Sequence, residues 1–381
     1  GKSKSELEMR LFAPLALLAL VSLSTSFAPS PSLLHTKNRN LHHGRLASQQ
    51  SETAANDVLD AIVAPKISVR PPSADERGKG GVHAKESIAA LEVIARIPRD
   101  LILTGCDNDD SSSRGSRRAL EALANAKEWT WAADLTAAAL VSLFPDPDDN
   151  LSNDKESTLK QTWIKSWEQG GWATDPNDLG PKGVPWGGDC VVGSLLATGS
   201  DNDKNIYAKF RMPCHPVILR ASKGLAMLCG VEDEQICLDA LLLRGFAFRG
   251  MRDALLPLVL TPSEERKGSL RERRAWDVSD VLSRVLSRAT TVQLGEDESD
   301  RAVVVVPLHE RLAHYKNESQ DGGNTKLVVM GEECLLVAVR DIADGEAITR
   351  DYDLAPRLDG DTSEGNLRLL LQFGVPPVSE A

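Results

Sequence analysis

The sequence predicts an α+β fold in which a helical middle separates two β-rich ends. Three observations predict it. Residues 56–99 hold short apolar runs between turn signals, including an alternating stretch at 91–97 that closes on Pro98. The middle of the chain is rich in Leu and Ala at helical spacing. The last part returns to β-branched, strand-length runs at 302–307, 326–330, 334–339 and 347–352.

Taken in order, Gly78, Gly80 and Gly81 form a Gly-rich turn leading into Val82-His83-Ala84. Residues 107–118 are polar and Ser-rich and predict a loop; 119–126 and 135–144 predict helices. Residues 146–155 are an acidic, Pro-containing linker, followed by a helix carrying Trp163 and Trp167 and a Gly/Pro-rich stretch to 188. Residues 217–249 predict one long helix with Leu225, Leu228, Leu238, Leu241 and Leu242 on its apolar positions. Residues 262–274 predict charged loop or exposed helix, and a helix runs from Trp276 to about 288 before an acidic turn at 295–300. A last helix covers 366–371, and no internal repeat is visible.

The chain has 381 residues, 41% hydrophobic and 26% charged, which is ordinary globular composition. Aromatic residues make up 4%, so the core must rest on Leu, Val, Ile and Ala. A net charge of -11 argues against a nucleic-acid surface, which needs clustered Lys and Arg, and suits a basic or lysine-rich protein partner. The six cysteines form no C-x-x-C pair and no His cluster stands at zinc-ligand spacing, so they predict buried thiols and no metal.

Residues 1–50 read as a leader. Met9 and Arg10 precede an apolar run at 11–23 and the small residues Ser24-Thr25-Ser26, the pattern of a signal peptide over about 9–26. The run is short for a membrane span, so no stable membrane insertion is expected. Ser26-Phe27-Ala28-Pro29 resembles the signal cleavage motif of plastid precursors in algae with secondary plastids. Residues 27–50 carry Lys37, Arg39 and Arg45 and no acidic residue, which is transit-peptide composition. Plastid (chloroplast) targeting is the expectation, and secretion the alternative.

Five blocks, in order, resemble the SET-domain protein methyltransferases, specifically the Rubisco large-subunit methyltransferase-like branch. RGKGGVHAKESIAALEVIARIPRDLILT (77–104) is similar to the family's opening glycine turn and "IP..L.LT" strand. WDVSDVLSR (276–284) resembles its "W….V.SR" helix, with LLRG (242–245) as a competing alignment. VVVVPLHERLAH (303–314) is similar to "LVP..D..NH", with Glu310 in the Asp position and Ala313 in the Asn position. CLLVAVRDIADGEAITRDY (334–352) resembles "L.A.RDI..GE.I...Y", and GNLRLLLQFGV (365–375) resembles "SN.ELL..YGF", with Phe373 for a frequent Tyr. Between them lies an acidic, Gly-containing insertion at 358–364.

The resemblance implies small β-sheets, a pseudoknot-like C-terminal segment and an inserted helical region at about 160–272, all within a SET domain of 51–381. It implies S-adenosyl-L-methionine as cofactor and a lysine of a plastid protein as acceptor. Tyr352 takes the catalytic position. Gly78, Gly80, Gly81, Arg284, Ala313 and His314 take cofactor-binding positions, with Arg284 as carboxylate clamp, and Phe373 walls the substrate channel. Relatives carry a helical C-terminal substrate-binding domain; none is expected here, so the inserted helices at about 160–272, or a partner, are expected to hold the substrate. Two alternatives stand beside lysine methylation: a histidine acceptor, and a catalytically degenerate SET-like binding or assembly factor.

Overall fold

The computed structural model describes residues 62, 64–70, 81–106, 114–124, 130–145, 155–167, 216–260, 268–293, 301–314 and 322–373. The leader at 1–50, Gly78, Gly80, the linker at 146–154 and the acidic turn at 295–300 lie outside them. Strands β1 (Ile67–Arg70) and β2 (Gly81–Ala84) pair antiparallel. Strands β3 (Val93–Pro98), β7 (Thr325–Met330) and β8 (Glu333–Ala338) form an antiparallel sheet in the order β3-β8-β7. Strands β4 (Thr290–Gln293) and β5 (Arg301–Val304) make a third antiparallel pair. The last pair is parallel and two residues long: β6 (Ala313–His314) beside β9 (Thr349–Arg350).

Helices α1 (Arg114–Ala124), α2 (Thr130–Leu143), α3 (Lys155–Ser166), α4 (Pro216–Cys229), α5 (Glu234–Leu255) and α6 (Gly268–Arg288) lie between β3 and β4 in the chain; α7 (Gly365–Phe373) follows β9. The fold is therefore mixed, helices with small sheets. One core fills the sheets through Ile94, Ile97, Val304, Leu336, Ile342 and Ile348. A second joins α2, α3 and α6 through Leu135, Leu140, Trp163, Val278 and Val285. The strand alternation at 91–97 and the apolar runs at 326–330 and 334–339 found their sheet because each has a face to bury.

Three boundaries differ from expectation. Helix α1 begins at Arg114, inside the expected loop at 107–118, and its Arg118 donates to the carbonyls of Pro257 and Leu258 at 3.0 and 3.1 Å. The single helix expected at 217–249 is two, broken where Gly230 takes φ +68° and Asp233 caps α5 by accepting from the Gln235 N–H at 2.9 Å. Within 262–274, helix is present from Gly268 onward. Among the described residues no helix is long and apolar enough to cross a membrane, and no group of three or more His, Cys, Asp or Glu side chains could hold a metal ion.

Candidate active site

The parallel β6–β9 pair places Ala313 opposite Thr349 and His314 opposite Arg350. Tyr352 follows two residues on and lands beside His314. Its backbone N–H donates to His314 Nδ1 at 3.4 Å, and the two rings stand 4.9 Å apart. The phenol hydroxyl donates to the Leu312 carbonyl at 3.1 Å. Phe373, at the end of α7, stacks on the tyrosine with centroids 4.2 Å apart and an interplanar angle of 29°. Three distant stretches of chain thus supply one aromatic cluster, which is half-buried at Tyr352 and His314.

The approach to β6 is strained. Leu308 is buried with φ +69° and ψ -50°, and the His309 N–H donates to the Pro307 carbonyl at 2.9 Å, a γ-turn that a β-substituted residue rarely adopts. Such backbone costs about 1–3 kcal/mol and persists only where its surroundings over-determine it. Here Glu310 supplies the hold. It accepts from Trp163 Nε1 at 3.0 Å and from Arg288 Nε at 2.8 Å, so the turn is bolted to α3 and to the end of α6.

Strand β9 is held by Asn324, which is buried. Its Oδ1 accepts from the Thr349 N–H at 2.7 Å, its N–H donates to Thr349 Oγ1 at 3.1 Å, and its Nδ2 donates to the Ala347 carbonyl at 2.8 Å. A side chain on Gly323 would stand 2.6 Å from the Arg350 Cα, so only glycine allows this approach. Burial pushes the Glu346 carboxyl up, but the Arg340 guanidinium and the Ala343 N–H outweigh it and hold the group below its usual range. Glu346 therefore braces the turn before β9.

Beneath the cluster, Arg368 donates to the carbonyls of Asp353 and Ala355 at 2.8 and 2.5 Å. Gln372 donates to those of Leu286 and Pro356 at 3.1 and 2.9 Å. The insertion at 358–364 is anchored at several points. Leu358 enters a small core with Ala247, Met251 and Leu282, and Asp361 pairs with Arg244 at 2.5 Å with both side chains buried.

The expected site residues divide accordingly. Ala313, His314, Tyr352 and Phe373 come together, although Ala313 is exposed. Gly81 opens β2 at φ +142°, with nothing within 4 Å of where a Cβ would sit. Its neighbour Val82 accepts from the Ile348 N–H at 2.8 Å, which joins β2 to the segment leading into Arg350. Arg284 is buried on α6 and pairs with Asp280 one turn earlier. The competing Arg244 is committed to Asp361.

No family model matches the chain, and no curated protein matches it. Among solved structures it is similar to the SET domain of LSMT bound to lysine and AdoHcy, with 12% identity and a TM-score of 0.42 over 86% of this chain and 57% of that one. It is similar to the SET domain of LSMT bound to methyl-lysine and AdoHcy, with 12% identity and a TM-score of 0.43 over 86% and 57%. Rubisco LSMT bound to AdoMet gives 13% identity and a TM-score of 0.41 over 87% and 56%. The chain spans less than two thirds of the length of the structures it matches.

Sequence reasoning missed Arg350, Asn324 and the α7 pair Arg368 and Gln372. The Gly322-Gly323-Asn324 run carried a usable signal, since paired glycines before an amide mark a close backbone approach. The arginines carried none: an Arg in a strand or helix reads as solvated until its distant carbonyl partners are known.

Proposed function

We propose that this chain transfers a methyl group from S-adenosylmethionine to a lysine side chain of a plastid protein. One observation carries the reading. The two-residue parallel pairing of β6 with β9 sets His314 beside Tyr352, and α7 stacks Phe373 on the tyrosine, where the resemblance in sequence puts the methyl-transfer site.

The residues fit the cofactor partly through backbone. Gly81 presents a positive-φ turn to open space, and the exposed Ala313 leaves room without offering a side-chain hydrogen bond. When bound, the cofactor supplies a sulfonium methyl that an amine can attack in line. The chain's own contribution is alignment. Because the Tyr352 hydroxyl spends its hydrogen on Leu312, its oxygen lone pairs are left to accept from an amine N–H or a polarised methyl C–H. Phe373 holds the ring and excludes water without adding a donor. A lysine amine titrates near about 10.4 in water and must be neutral to attack; desolvation between aromatic walls favours that form.

We place the acceptor on a basic protein, held by helices of about 160–272, within a SET domain of 51–381 that follows a plastid leader at 1–50. A binding or assembly factor without catalysis is the second reading. It is favoured by Ala313 in the Asn position and by the pairing of Arg284 with Asp280. A histidine acceptor is the third.

Calorimetric titration of S-adenosylmethionine into the full chain separates the first two. Micromolar binding by the wild type supports methyl transfer. Binding by Ala313→Asn but not by the wild type would establish a degraded site and the binding-factor reading.

A further inference from the structure

Arg350 is 3% exposed and sits with its guanidinium 4.8 Å above the Tyr352 ring. It donates to the Ser287 carbonyl at 2.9 Å and to the Arg288 carbonyl at 3.2 Å. Those are the last two residues of α6, whose terminal carbonyls have no partner within the helix and carry the negative end of its dipole. Its Nε is buried without a hydrogen-bond partner among the described residues. Burial pulls this arginine's pKa down, with Tyr352 and Glu310 opposing, and a guanidinium keeps its proton nonetheless.

We propose that Arg350 is a positioning residue that clamps Tyr352 to the C-terminal end of α6, and that its fixed charge makes the cluster discriminate against cationic ligand groups. The proposal deepens the methyl-transfer reading and rests on it for the identity of the ligands. A like charge beside the acceptor disfavours an ammonium, so the site takes its amine in the neutral form that attack requires.

The α6 carbonyls and Glu310 offset this charge only in part. From the turn before β6 come Glu310, Arg311 and the buried His309; from α6 comes Arg288. Glu310 is engaged by Arg288 at 2.8 Å and Arg311 at 3.5 Å, so one carboxylate faces three guanidiniums. Asp351, beside Arg350 in the chain, accepts from the Asp353 N–H at 2.8 Å at the partly exposed rim. His314, across the strand pair, receives the Tyr352 N–H.

The test compares S-adenosylmethionine, whose sulfonium is charged, with S-adenosylhomocysteine, which lacks that charge. Both are titrated calorimetrically into the full-length wild type, Arg350→Gln (donors kept, charge removed) and Arg350→Lys (charge kept). The ratio of the two dissociation constants, charged over uncharged, should fall about tenfold in Arg350→Gln and stay within about twofold in Arg350→Lys. An unchanged ratio in Arg350→Gln, with both ligands bound, overturns the charge role. A second arm needs no ligand: in fluorotyrosine-labelled protein the Tyr352 fluorine resonance, assigned with Tyr352→Phe, should move in Arg350→Gln and return toward its wild-type position in Arg350→Lys. A resonance that stays in place in Arg350→Gln overturns the clamp. Failure of the wild type to bind either ligand refutes the methyl-transfer reading instead, and the fluorine arm still decides the clamp.

Discussion

The β3–β8–β7 sheet and the segment from β9 to α7 both contribute buried residues, by opposite means. The sheet hides apolar side chains, and its backbone groups satisfy one another across the ladder. The β9–α7 segment has a two-residue strand and then irregular chain, so its carbonyls need side-chain donors. Arg368 and Gln372 supply them from within the core, and Arg350 ties the strand itself to the last carbonyls of α6. Irregular backbone next to a site is thus held by buried side-chain donors, and a single loss there strands either a donor or a carbonyl.

The sharpest break of that comparison is Asp361→Ala. It leaves the Arg244 guanidinium buried without its carboxylate, and stability should drop by about 3–5 kcal/mol in chemical denaturation. In the sheet, Leu336→Ala should cost about 2–4 kcal/mol through lost burial and a cavity. A smaller loss at Asp361 than at Leu336 would contradict the contrast.

A milder probe is pH. His309 is buried, its Nδ1 lacks a partner among the described residues, and burial, reinforced by Arg350, holds its pKa well below 6.5. The unfolded chain therefore binds a proton below that value that the folded chain refuses. Stability is full above pH 6.5 and should fall as pH drops below it, by up to about 1.4 kcal/mol per pH unit. His309→Phe should flatten the slope between about pH 6.5 and pH 5, before most carboxylates titrate. A slope unaffected by that substitution would assign the loss elsewhere.

What the sequence revealed divides along the same line. Strand β8 was legible because its apolar run spans the observed Glu333–Ala338 closely, and α7 because Leu367, Leu370 and Leu371 keep helical spacing. Tyr352, His314 and Phe373 were legible as members of motifs, and the structure gathers them. The break at Gly230 was masked by apolar periodicity that continues on both sides of it. Arg350 was illegible because its meaning depends on carbonyls 62 and 63 residues away.

The most direct test of the central claim is methyl transfer itself. Full-length protein is incubated with tritium-labelled S-adenosylmethionine and a plastid extract, beside Tyr352→Phe, and labelled proteins are hydrolysed for amino-acid analysis. Labelled methyl-lysine is expected with the wild type, reduced at least about tenfold by removal of the Tyr352 hydroxyl. Label in methyl-histidine would move the acceptor to imidazole. No label from a wild type that binds the cofactor would contradict catalysis and leave the cluster around Tyr352 as a binding site.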